Sequence, residues 1–143
     1  MKDDVLLSKA ETIERCVKRI EEEYIGFAEQ LTTNFTKQDS IILNIQRACE
    51  ASIDMATRVI RLCHLGLPQS SREVFVLLEQ AKIIDFDLSK KMQSMVGFRN
   101  IAVHNYTQLN LEIVRAIVEH NLSDFLQFSK VILKKDFSNK NII

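Results

Sequence analysis

Apolar side chains keep a helical rhythm along most of this chain. Val5, Ile13, Val17, Ile20, Tyr24 and Phe27 recur at spacings built from three, four and seven, which predicts a first helix from about Asp4 to about Glu29 with one buried stripe. The stretch Q-L-T-T-N-F-T-K breaks that rhythm with β-branched and capping residues, so it reads as a connection. Thr36 with Asp39 resembles the opening of a second helix, a looser relative of the capping box. Ile42, Ile45, Cys49, Ser52, Ala56, Val59 and Cys63 carry that helix to about Leu65. At 1.5 Å per residue it spans roughly 40 Å, longer than a small domain is wide. Such a helix tends to project or to pair with another subunit, and a dimer is expected.

The segment G-L-P-Q-S-S-R-E supplies the next punctuation: Gly66 as a stop, Pro68 as a breaker, and Ser70 with Glu73 as a capping box. A third helix is predicted over about Ser71 to Lys82. Asp87 is the expected N-cap of a fourth, about Leu88 to Val103. A fifth runs from about Asn110 to about Lys135, with Leu111, Val114, Ile117, Val118, Phe125 and Val131 on its apolar side. The tail S-N-K-N-I-I is expected to fray. No stretch alternates as a strand would, and the chain has only three glycines and one proline. The expected class is all-α, an up-and-down bundle of about five helices in a single domain, 1–143.

Composition narrows the function classes. Hydrophobic residues make up 46% of the 143 positions and charged residues 27%, which excludes a disordered tail. No apolar run approaches the ~20 residues that span a bilayer. The opening M-K-D-D-V-L-L-S-K-A is too acidic for a signal peptide, so a cytoplasmic location without membrane contact is expected. Nineteen basic residues balance nineteen acidic ones, which argues against a protein that coats nucleic acid and still leaves room for a small basic pocket. Cys16, Cys49 and Cys63 form no C-x-x-C pair and read as reduced core thiols. His64 and His120 lack metal-ligand spacing, so no metal site is expected. Phosphate-binding loop and nucleophile-elbow motifs are absent.

The chemistry-bearing stretch is R-N-I-A-V-H-N-Y, Arg99 to Tyr106. Leu88, Met92, Met95 and Val96 mark the buried stripe of the fourth helix, and Arg99 follows Met95 by four, which puts a guanidinium on the core-facing side. An unpartnered buried guanidinium is too costly to keep, so Arg99 must meet a carboxylate, a cleft or an interface. Glu50 and Asp54, one turn apart, are the candidate ion-pair partners. His104 stands five after Arg99, about 140° round an ideal helix. The two converge only if the helix ends between them or a neighbouring surface joins the site. Asn100, four before His104, shares its face. Lys90 and Lys91 either line a path for RNA or form a solvated face.

R-N-I-A-V-H-N-Y resembles the R-x4-H-x-Y signature of the HepT toxins, a branch of the HEPN superfamily. D-D-V-L-L-S-K-A-E-T-I-E-R-C, N-I-Q-R-A-C-E-A-S-I-D-M-A and G-L-P-Q-S-S-R-E-V-F also resemble that family, so the likeness covers nearly the whole chain. It implies the toxin of a type VII-like toxin–antitoxin pair: a metal-independent endoribonuclease, assembled as a two-fold homodimer whose two motifs face each other. Arg99 and His104 are then the catalytic residues, Asn100 a supporting one, and tRNA or mRNA the substrate. The implied partner is a minimal nucleotidyltransferase antitoxin of the MntA type. It would silence the toxin by transferring AMP from ATP to Tyr106, and the toxin itself would need no cofactor.

These residue types suit that reaction. Cleaving RNA without a metal uses the 2′-hydroxyl as nucleophile and needs a base, an acid and a cation. Histidine titrates near neutrality and serves as either acid or base. Arginine stays charged and grips phosphate through parallel donors. The alternative is a non-catalytic HEPN-like dimer that binds a nucleotidyltransferase or nucleotide and has no need of Arg99 and His104.

Overall fold

A computed structural model describes residues 3–137, and the expectation for the tail from Ser138 lies outside them. Helices α1 (Asp4–Tyr24), α2 (Phe35–Cys63), α3 (Glu73–Gln80), α4 (Phe86–His104), α5 (Leu111–Ala116) and α6 (Leu122–Leu133) make an all-α fold, with no strand among the described residues. α2 is the central element and packs against α1, α3, α4 and α6. Buried apolar side chains join into one core, in which Phe75 of α3 meets Phe128 of α6 edge to face at 5.4 Å.

The buried face of α1 is Leu6, Ala10, Ile13, Val17, Ile20 and Tyr24 in three-four alternation, with Cys16 buried beside them. Val5 and Phe27, expected on that stripe, are instead exposed. Val5 precedes Ile13 by eight residues, about 80° off the stripe, whereas Leu6 precedes it by seven, about 20° off. The helix also stops five residues early. Gly26 adopts φ +84, a left-handed conformation that ends it, and a short 3-10 turn, Ala28–Thr32, follows. Asp3 caps α1 by accepting from the Leu6 N–H at 3.1 Å. The same carboxylate receives the Arg58 guanidinium at 2.7 Å, which ties the start of α1 to α2.

α2 opens earlier than expected. Asn34, not Thr36, is its cap and accepts from the Lys37 N–H at 3.1 Å. That leaves the Asp39 carboxylate free for a distant partner. At the other end the cap is His64, at a left-handed φ of 54 and two residues before Gly66, and the Leu65 N–H closes back to the Ile60 carbonyl at 3.0 Å.

Ser70 and Glu73 meet as expected, the Glu73 N–H donating to Ser70 Oγ at 3.2 Å, but the box does not close. The Glu73 carboxylate receives the Gln69 N–H at 2.9 Å instead of that of Ser70, and α3 starts only at Glu73, behind Arg72. For α4 the cap is Asp85, accepting from the Leu88 N–H at 2.8 Å; Asp87 lies inside the first turn and pairs with Lys91 at 3.0 Å.

The predicted fifth helix is interrupted. α5 and α6 are joined by a π-helical turn, Ile117–Asn121. The extra residue explains the spacing of the buried positions Val114, Ile117, Leu122, Phe125, Phe128 and Ile132, which steps by five once, between Ile117 and Leu122. Glu119 in that turn accepts a hydrogen bond from the Tyr24 hydroxyl, which in turn receives one from Arg115 at 2.8 Å. No helix among the described residues is long and apolar enough to cross a membrane.

Candidate active site

Arg99 sits half-buried on α4. One terminal nitrogen donates to Ser71 Oγ at 2.9 Å, while Nε is buried and donates to no acceptor among the described residues. Beside it on α2 lies the Cys49 thiol. Burial pushes that thiol up to about 12, the Arg99 charge pulls the other way, and Glu50 adds to the rise.

The expected ion pair with Glu50 or Asp54 does not form. Asp54 is exposed and pairs with Lys9 of α1 at 3.0 Å, and among the described residues no carboxylate lies within ion-pairing distance of Arg99. The reason is angular. α2 turns the face of Cys49 towards Arg99, and Glu50 and Asp54 lie about 100° and about 140° round from it. Ser71, carried in by the connection between α2 and α3, binds the guanidinium instead.

α4 runs unbroken through His104, its last residue. The helix therefore does not end between Arg99 and His104, and the angular gap between them persists within one chain. His104 and Asn100 are both exposed and share a face one turn apart. Ile101 and Val103, interleaved with them, are exposed apolar side chains at 44% each. Ile101 borders a groove of about 400 Å³ that Met95, Phe98, Leu109, Ile113 and Ile117 also line.

Tyr106 begins a short 3-10 turn, Tyr106–Gln108, just past α4. The residue is 40% exposed and its hydroxyl donates to Oδ1 of Asp39, near the start of α2. Burial, with the hydrogen bond to Asp39 and its negative charge, raises the phenol above its ordinary pKa.

Two further features escape a reading of the sequence alone. Ser71 and Asp39 reach their partners across 28 and 67 positions, with no local pattern to announce either. Gly97 faces Arg72: a Cβ there would stand 2.5 Å from the Arg72 guanidinium. A glycine inside a helix costs about 1 kcal/mol against alanine, so Gly97 was the available signal. Arg72 is exposed, and so a second guanidinium lies against the helix two residues before Arg99. Lys90 and Lys91 are engaged within the chain: Lys90 stands 5.2 Å over the Phe86 ring and Lys91 pairs with Asp87. Among the described residues, no group of three or more His, Cys, Asp or Glu side chains is placed to hold a metal ion.

Comparison with known proteins gives the family. The HepT-like ribonuclease model matches residues 13–132. The chain belongs to the HepT-like ribonuclease family. It is 52% identical over 130 residues to the mRNA nuclease HepT of Shewanella oneidensis, a match covering 91% of this chain and 97% of that one. Two solved structures share its fold at TM-score 0.89 and 50% identity, covering 93% of this chain. One is a toxin–antitoxin complex with AMP-PNP, matched over 100% of that chain. The other is a tri-AMPylated HEPN toxin from S. oneidensis in complex with its MNT antitoxin, matched over 99%. Within this HepT-like chain, R-N-I-A-V-H-N-Y places a half-buried cation, an exposed imidazole and a tethered phenol along the last turns of α4 and the turn beyond it.

Proposed function

We propose that this chain is the toxin of a toxin–antitoxin pair, an endoribonuclease acting on mRNA or tRNA as a homodimer in the cytoplasm. The family is one of ribonucleases, and a relative with this fold is an AMPylated toxin held by its antitoxin. The observation that carries the reading is Arg99. A buried donor left unpaired costs about 1–3 kcal/mol, and here it belongs to a cation with no carboxylate partner among the described residues. The buried Nε is itself out of reach. The half-buried guanidinium, with no carboxylate among the described residues to offset its charge, is suited to an anion that arrives from outside, as a scissile phosphate would.

In the proposed reaction the ribose 2′-oxygen attacks the adjacent phosphorus, and the bond to the 5′-oxygen breaks. One His104 takes the 2′-proton while the other, from the second subunit, protonates the leaving 5′-oxygen. Arg99 binds the non-bridging oxygens and offsets the charge that builds on phosphorus. Asn100, one turn from His104, orients the imidazole or the phosphate. The chain needs no metal or cofactor for this sequence of steps. Exposed Ile101 and Val103 beside the motif supply apolar surface for a second copy, which would add the second imidazole that one chain lacks.

Silencing follows from Tyr106. A nucleotidyltransferase antitoxin of the MntA type transfers AMP from ATP to the phenol, adding negative charge and bulk beside the RNA site. The test of the nuclease reading is His104→Ala. Because His104 is exposed at a helix end, the variant should keep its fold and dimer yet cleave RNA at least ~10²-fold more slowly, and growth arrest on expression without the antitoxin should disappear. Full cleavage by that variant would overturn the assignment.

A further inference from the structure

Adenylylation requires the phenol oxygen of Tyr106 to lose its proton as it attacks phosphorus. A free phenol titrates near ~10, so at neutral pH only about one in a thousand is ionised. In this fold burial and the Asp39 charge suppress ionisation further. The reaction therefore needs a proton acceptor at the hydroxyl, and the chain supplies a carboxylate there. The Tyr106 hydroxyl already donates to Oδ1 of Asp39, while the residue remains 40% exposed.

The two groups lie 67 positions apart in the sequence. Tyr106 is presented by the turn after α4, and Asp39 by the beginning of α2. Asp39 is not used to cap α2, since Asn34 does that. Nor does it form an ion pair with any described residue. Its carboxylate is thus committed to the tyrosine alone among the hydrogen bonds at that end of α2.

We propose that Asp39 is the general base for adenylylation of Tyr106, so that the toxin contributes a catalytic residue to its own silencing. This rests on the reading of Tyr106 as the modified residue. The phenol oxygen attacks the α-phosphorus of ATP, forming the new O–P bond. The bond from that phosphorus to the bridging oxygen breaks, and pyrophosphate leaves with the electron pair. The phenolic proton passes along the existing hydrogen bond to Asp39, which later releases it to water. The hydrogen bond also fixes the hydroxyl rotor, so a lone pair of the phenol oxygen stays directed away from Asp39 and towards the incoming nucleotide.

Asp39→Asn is the informative variant, because the amide oxygen still accepts the hydrogen bond and cannot take the proton. Adenylate transfer is followed with α-labelled ATP and the cognate antitoxin, on wild type, Asp39→Asn and Asp39→Glu, with the label located by mass spectrometry. The expected result is a maximal rate about 10²-fold lower for Asp39→Asn, with the KM for toxin and the melting temperature unchanged, and substantial recovery in Asp39→Glu. Wild-type rates in Asp39→Asn would overturn this inference alone. A raised KM with an unchanged maximal rate would also overturn it, because Asp39 would then serve docking. Absence of label on Tyr106 in the wild-type chain would overturn both this inference and the reading beneath it.

Discussion

Arg99 is held by the Ser71 hydroxyl, beside the Cys49 thiol, and by no carboxylate among the described residues, and that distinction governs what its replacement should do. Lysine would keep the charge but lose the paired donors that match a phosphate, so Arg99→Lys should reduce cleavage by about 10²-fold or more while the chain still melts cooperatively. Near-normal cleavage would show that only the charge matters. Cys49, beside it, gives a pH prediction. Its folded-state thiol titrates at about 12 and its ordinary value is 9.0, so the folded state holds that proton more tightly. The associated stability is complete below about 9 and is lost as pH rises from there towards 12. Denaturant melts across that window should fall more steeply for wild type than for Cys49→Ala; identical slopes would remove the thiol from the account. The pair Asp39–Tyr106 is the third residue-scale feature, and it links the proposed silencing site to α2 rather than to the motif helix.

At the scale of elements, local signals were read well and distant ones were not. The Ser70–Glu73 hydrogen bond ahead of α3 was legible because its partners lie three positions apart. The α1 stripe was legible from Ile13 to Tyr24, slipped at Val5 because two apolar residues, Val5 and Leu6, stood side by side, and overran the helix end at Phe27. The π-helical turn was hidden, since a single five-residue step looks like noise in a sequence and is decided by packing: Glu119 in the turn is held by Tyr24 of α1. Tyr24→Phe should destabilise the fold by about 1–3 kcal/mol, because it leaves Glu119 and Arg115 without their shared partner. Denaturant unfolding measures this, and an unchanged midpoint would make the hydroxyl dispensable. Gly97→Ala tests α4 from the other side. The clashing Arg72 atoms are the far end of an exposed side chain, so the helix should gain about 1 kcal/mol and melt a few degrees higher as Arg72 swings aside. A lower melting temperature would mean that the Arg72 seat is rigid.

For the whole molecule, the all-α class and the helix order could be anticipated from periodicity, whereas the composition of the site could not. Periodicity placed Arg99 on the inner side of α4 but gave no way to choose Ser71 over Glu50 or Asp54. That choice depends on which face α2 turns inward and on where the connection after Pro68 passes. The unbroken course of α4 also settles how Arg99 and His104 are arranged in one chain: they point in different directions. The proposed nuclease consequently depends on two copies, each giving one imidazole to a shared groove. A covalently tethered dimer in which only one half carries His104→Ala tests this directly, by its rate of RNA cleavage against the all-wild-type tether. If one imidazole is the base and the other the acid, a single substitution should lower the rate by about 10²-fold or more. A rate near half that of the wild-type tether would contradict the account, because each subunit would then be cleaving RNA alone.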